Sequence, residues 1–234
     1  MAVTPNQTGA TELPGTPLWL RGRDAVVEAA GTEDWRGGKE PDYHLSATVM
    51  PEQRTAHHEA GSLEDITETL VQVFEMEVSH KKDPATWVSM ATDRFRTRVN
   101  GGPWADAQEL AAQGSYNVLI GDSVFYRPDQ ESFESSHSTF LRSFSEGFFW
   151  EVLEVLSPPP VVTFKWRHWG VFDGTYKGFA PTGALIEMFG MSVATVGDDM
   201  RLLEVEHFYD PNHFLGQLTG GCPIAHGDER MEPQ

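Results

Sequence analysis

Cysteine is almost missing from this chain: Cys222 is the only one in 234 residues. A lone thiol excludes an internal disulfide framework and suits a reducing compartment, so a cytoplasmic location is expected. Long apolar runs are missing as well. Met1 to Ala30 offers no apolar stretch behind a basic start, so no signal peptide is expected. Nothing approaches the roughly 20 apolar residues of a membrane span. Basic residues are scarce, 17 against 35 acidic, for a formal charge of -18. A chain this negative repels phosphate backbones and anionic lipid, so neither nucleic acid nor a membrane surface is expected as a partner.

Aromatics are plentiful. They make up 11% of the chain within a hydrophobic total of 39%, enough to build a core and to line a pocket. The most informative stretch is residues 161–172, VVTFKWRHWGVF. Read with a period of two, Val162, Phe164, Trp166, His168 and Phe172 share one face, while Thr163, Lys165 and Arg167 share the other. That alternation marks a strand with one face on a core. His168 sits inside the apolar row, where a titratable ring must be tied down by a partner or face a cavity.

Three regions follow from composition and period. Residues 1–60, rich in Pro, Gly, Thr and charge, read as a mostly irregular arm anchored by Trp19, Trp35 and Tyr43; 61–215 form the main domain; 216–234 form a flexible acidic tail. His57-His58 reads as polar loop surface. Ser62 with Asp65 predicts a capping box for a helix whose stripe is Leu63, Ile66, Leu70, Val73 and Phe74. Projected at 100° per residue, that stripe reaches Glu77, with His80 at its edge. Asp83-Pro84 predicts a second helix running towards Val99, and a third covers about 105–119, with Tyr116 near its end. Phe133, His137, Phe140, Leu141 and Phe144 share a face of a fourth. Strands are predicted at 148–156, through His168, at 185–196 with a bulge or bend at Gly190, and at 203–209. The last alternates Leu203, Val205, His207 and Tyr209 inward, so a second histidine lies in an apolar row. Helices first and antiparallel strands after predict an α+β fold.

The motifs Trp166-Arg-His-Trp-Gly170, Gly178-Phe-Ala-Pro-Thr-Gly183 and Glu204-Val-Glu-His-Phe-Tyr-Asp210 resemble the pathogen-related proteins of plants and fungi. Segments 60–63, 74–77, 114–117, 131–137 and 149–152 resemble them too, and Trp35 to Tyr43 does so more loosely. Those proteins group with the SnoaL-like polyketide cyclases of the nuclear transport factor 2-like superfamily. The resemblance implies a cone-shaped barrel, a curved antiparallel sheet on N-terminal helices around a deep pocket, and a homodimer built through the sheet. It leaves activity open, because the superfamily holds cyclases, dehydratases, isomerases, epoxide hydrolases and non-catalytic binders.

Periodicity puts Glu77, His137 and His168 on core-facing surfaces of different elements. SnoaL-like cyclases use an inward His and Asp without a metal, and Asp210 resembles their acidic position. The first expectation is therefore a cofactor-independent lyase, isomerase or cyclase acting on a small apolar ketone or polyketide-like compound. Its catalytic candidates are His168, His137, Glu77 and Asp210, with Trp166, Phe164, Tyr116, His207 and Tyr209 contacting the ligand and His80 and Glu187 behind them. The second is an iron or zinc site built from His137, His168 and Glu77, with His80 or His207 as a fourth ligand. The third is a non-catalytic ligand-binding stress or defence protein whose histidines and Glu77 satisfy one another. A Cys222-Pro dipeptide near a histidine suggests haem-thiolate ligation only weakly, since it falls in the tail.

Overall fold

Ser62 starts the helix on which the domain is built: its hydroxyl accepts from the Asp65 N–H at 3.2 Å, a cap worth about 1 kcal/mol. Asp65 does not complete the expected box; its carboxylate takes the Gly61 N–H at 2.8 Å instead. The structure, a computed structural model, describes residues 15–220. Before that helix lie α1 (Arg23–Ala29) and α2 (His44–Gln53), so the arm expected to be mostly irregular is partly helical. The capped helix is α3 (Leu63–His80). It has two buried faces. Leu70, Phe74 and Val78 join the main core, whereas Val73 and Met76 pack with Val26 and Trp35 of the arm.

The stretch after α3 departs most from expectation. Asp83-Pro84 opens a single 3-10 turn, Pro84–Thr86, and no helix continues to Val99. Residues Arg96–Val99 form strand β1 and Ala105–Asp106 form β2. The helix expected over 105–119 is two, α4 (Ala107–Gln113) and α5 (Ser115–Ile120), parted at Gly114. Gly114 has φ +91°, and a Cβ there would meet the Phe133 ring at 2.9 Å, so only glycine fits this corner. The fourth expected helix is present as α6 (Phe133–Ser143).

The long strands are β3 (Phe149–Ser157), β4 (Val161–Val171), β5 (Leu185–Val196) and β6 (Leu202–Tyr209). They form an antiparallel run that β1 and β2 extend, in the order β2-β1-β6-β5-β4-β3. The sheet is mixed, because β1 runs parallel to β6. Bulges interrupt β3 against β4 and the end of β5 against β6, and bulges of this kind sharpen a sheet's twist and bend. Gly190, by contrast, lies in unbroken register opposite Trp166. A Cβ at Gly190 would meet the Trp166 ring at 2.2 Å, so this glycine makes room for the indole rather than a bulge. The outer edge of β3 is covered: Glu68 accepts from the Val152 N–H at 3.0 Å and His58 bonds the Val152 carbonyl at 2.7 Å, which blunts strand-to-strand association.

The chain then turns into α7 (Pro211–Thr219), where a flexible tail was expected from residue 216. Phe214, Leu215 and Leu218 are buried against the sheet. Burial of each such side chain stabilises by about 1.5–3 kcal/mol. Cys222 and its Cys-Pro dipeptide lie outside the described residues. Among the described residues, no helix is long and apolar enough to cross a membrane.

Candidate functional site

The concave face of the sheet and the inner face of α3 enclose a cavity of about 150 Å³. Period two in β4 brings Val162, Phe164, Trp166 and His168 to its wall; in β5 the same rule brings Met188, Ser192, Ala194 and Val196. Strand β6 adds Val205, His207 and Tyr209, helix α5 adds Tyr116 and Leu119, and Phe148 and Phe214 line it as well. A cavity of that size lined by apolar side chains holds a molecule on the scale of one aromatic ring.

His168 lies flat on Phe148, with ring centroids 3.9 Å apart and planes 19° from parallel. Its Nε2 is 3.6 Å from Oε1 of Glu75, just beyond hydrogen-bond length. Its Nδ1 is buried and has no partner among the described residues. Further along the wall, Trp166 Nε1–H donates to Ser192 Oγ at 2.8 Å, and the same oxygen lies 2.8 Å from His207 Nδ1. Burial pushes the His207 pKa down to about 4, so this ring is neutral near pH 7. The Tyr209 hydroxyl donates to the Leu119 carbonyl at 2.6 Å, and burial raises both its pKa and that of Tyr116.

Of the residues expected at the site, His168, Trp166, Phe164, Tyr116, His207 and Tyr209 share this cavity. Three expected catalytic residues do not line it. Glu77 is 0% exposed, as its stripe position required, yet it belongs to the far side of α3. It pairs with Lys81 Nζ at 3.0 Å and accepts from the Val88 N–H, the Ser89 N–H and the Ser89 hydroxyl at 2.7, 2.9 and 2.7 Å. Every lone pair that could serve a substrate is committed, so its role is structural. Asp210 caps α7, accepting from the Asn212 and His213 N–H groups at 2.9 and 3.0 Å. His137 packs edge-on to His80 at 5.6 Å and against Phe133 at 5.9 Å. Burial, then the Arg36 charge, lowers its pKa, and burial, then His137, brings His80 down to about 4. Glu187 lies outside the cavity and binds Arg167 at 2.7 Å.

The metal reading is therefore corrected: His137, Glu77 and His168 occupy three separate places. Among the described residues, no three His, Cys, Asp or Glu side chains gather as a metal ion requires. The residues missed in the sequence were Glu75, Ser192, Phe148 and Phe214. Ser192 was accessible to the period-two rule, since it shares parity with Met188 and Ala194 on β5. Glu75 follows from the spacing Thr67, Val71, Glu75, a row one position off the stripe that led to Glu77.

A pathogen-related protein of Hordeum vulgare is 35% identical over 209 residues, covering 82% of this chain and 89% of that protein. The chain belongs to the pathogen-related protein family. The kinship bears out the resemblance carried by the motifs around Trp166, Gly178 and Glu204. No family model matches the chain. Among solved structures, a candidate SnoaL-like polyketide cyclase from Jannaschia sp. CCS1 is 16% identical with a TM-score of 0.40, covering 70% of this chain and 100% of that one. A protein of ketosteroid isomerase-like fold from Catenulispora acidiphila DSM 44928, solved with trimethylamine, is 10% identical with a TM-score of 0.37, covering 66% and 95%.

Proposed function

We propose that this member of the pathogen-related family is a cofactor-independent acid–base enzyme of the lyase, isomerase or cyclase type. Its substrate is a compact apolar ketone or polyketide-like compound. One observation carries the reading: a histidine whose buried nitrogen has no partner among the described residues, backed by a carboxylate, stands in the wall of a mostly apolar cavity. Neutral His168 takes a proton from the carbon next to a carbonyl, and Glu75 stabilises the imidazolium that forms. The stacked Phe148 and the apolar wall keep competing water out and hold the ring in place.

The test needs no natural substrate. Acetophenone in D2O exchanges its methyl protons by the same proton removal, and NMR follows the loss of signal. The expected result is exchange above the buffer rate that disappears in His168→Ala. Unchanged exchange in that variant, or none in the wild-type protein, overturns the reading. A non-catalytic binder is the second reading, favoured by the Tyr209 hydroxyl and Ser192, whose hydrogen bonds are spent within the protein. It predicts acetophenone binding without exchange.

Two further expectations belong with this reading. The outer face of the sheet exposes Phe189, Met191 and Phe208, with Met191 opposite Phe208 across the β5–β6 ladder. A contiguous apolar face of this kind supports a homodimer through the sheet. Sedimentation of Phe189→Glu should give the monomer if it forms. The acidic charge and the single cysteine support a cytoplasmic setting.

A further inference from the structure

Ser192 has two hydrogen-bonding partners among the described residues, Trp166 Nε1 at 2.8 Å and His207 Nδ1 at 2.8 Å. An indole nitrogen can only donate, so Trp166 uses one lone pair of Ser192 Oγ. The serine is fully buried, and its own proton needs an acceptor. His207 Nδ1 is the acceptor at hand. Nδ1 is then the unprotonated nitrogen of the neutral ring, and the ring proton sits on Nε2. Among the described residues Nε2 has no partner, and it is buried. A buried N–H left unpaired costs about 1–3 kcal/mol, a cost that a ligand acceptor would remove.

We propose that Trp166 and Ser192 are positioning residues that lock His207 as an Nε2–H donor, and that this donor binds a carbonyl or ether oxygen of the ligand. The assignment rests on the reading of the cavity as the ligand site and narrows its substrate class. His207 stands opposite Ser192, which stands opposite Phe164. Phe164 is four positions from His168 along β4, a displacement of roughly 13 Å at the rise of a strand. His207 and His168 therefore belong to different stretches of the cavity wall. The fitting ligand is a compact apolar body that carries an acceptor oxygen, and a hydrocarbon of the same size fits poorly.

The tautomer is read directly by long-range proton–nitrogen NMR of the wild-type protein near pH 7. The expected spectrum shows His207 protonated at Nε2 and bare at Nδ1, and protonation at Nδ1 overturns the inference with no variant made. The second arm titrates acetophenone and ethylbenzene, which differ by one acceptor oxygen at similar size. In Ser192→Ala the ratio of their dissociation constants should move about fivefold against acetophenone, the scale of one neutral hydrogen bond. His207→Phe should move it likewise. A ratio unchanged in both variants overturns the inference while the proton-exchange reading of His168 stands. Failure of both probes to bind the wild-type protein overturns the cavity as ligand site, and this inference with it.

Discussion

Nε2 of His168 lies 3.6 Å from Oε1 of Glu75, and both residues line the cavity. The Glu75 side chain is 47% exposed, so its contact with the ring adds little to folding. Its value lies in the charge it presents to a ring that has taken a proton. Glu75→Gln should slow acetophenone exchange about tenfold, while His168→Ala loses on the order of 100-fold or more, the usual share of a general base. Both variants should melt within a few degrees of the wild-type protein. Equal exchange rates in Glu75→Gln and wild type would remove Glu75 from the site.

The contrast with Glu77, two residues on, gives the second prediction. Glu77 and Lys81 are both buried and joined at 3.0 Å, and three further donors converge on the carboxylate. Removing one member of such a pair leaves the other charge buried and unpaired, which costs about 3–5 kcal/mol. Urea unfolding of Glu77→Ala should show a loss of that size. The folded fraction should still bind acetophenone with wild-type affinity, because Glu77 is held by Lys81, Val88 and Ser89 and does not line the cavity. A normal stability with weakened binding would reverse the assignment of Glu75 and Glu77.

What the sequence could show divides along the same line. Alternation within one strand is a local property, so the inward row Val162, Phe164, Trp166, His168 was legible, as was His207 in β6. The partners of those rings were not, because Ser192 meets His207 only through the β5–β6 register, which no single strand carries. The stripe on α3 led to a buried carboxylate, but a helix with two buried faces has two such stripes. Only packing tells which one meets the sheet. Residues 83–106 misled for a different reason: Pro84 suits the first turn of a helix and of a 3-10 turn alike. Strand β1 gains its pairing from β6, more than 100 residues later.

Gly190 offers the third prediction. The Trp166 indole lies against its Cα, and an added methyl would sit 2.2 Å from the ring. Gly190→Ala must therefore push Trp166 off Ser192, at an overpacking cost of about 1–3 kcal/mol. The Trp166 fluorescence should shift and the acetophenone-to-ethylbenzene ratio should move as it does in Ser192→Ala. A variant with wild-type stability and an unshifted ratio would show that the indole can move without cost.

Acid should weaken the fold through His80 and His207. Burial holds both pKa values near 4 in the folded protein, with His137 adding to the effect at His80 and Glu75 opposing it. In the unfolded chain both rings return to about 6.5. Between those values the unfolded chain binds protons that the folded one does not. The stability is therefore fully present above pH 6.5 and is lost as pH falls towards 4, at about 1.4 kcal/mol per pH unit for each ring. His137, whose pKa burial also lowers, adds in the same sense, and Glu68, whose pKa burial raises, works in the opposite one. The comparison that isolates one ring is urea unfolding of wild type and His207→Phe from pH 7.5 to 4.5. The variant starts less stable, because Ser192 loses its acceptor, but its stability should fall less steeply on acidification. Parallel slopes in the two proteins would mean that His207 titrates in the folded state as it does in water.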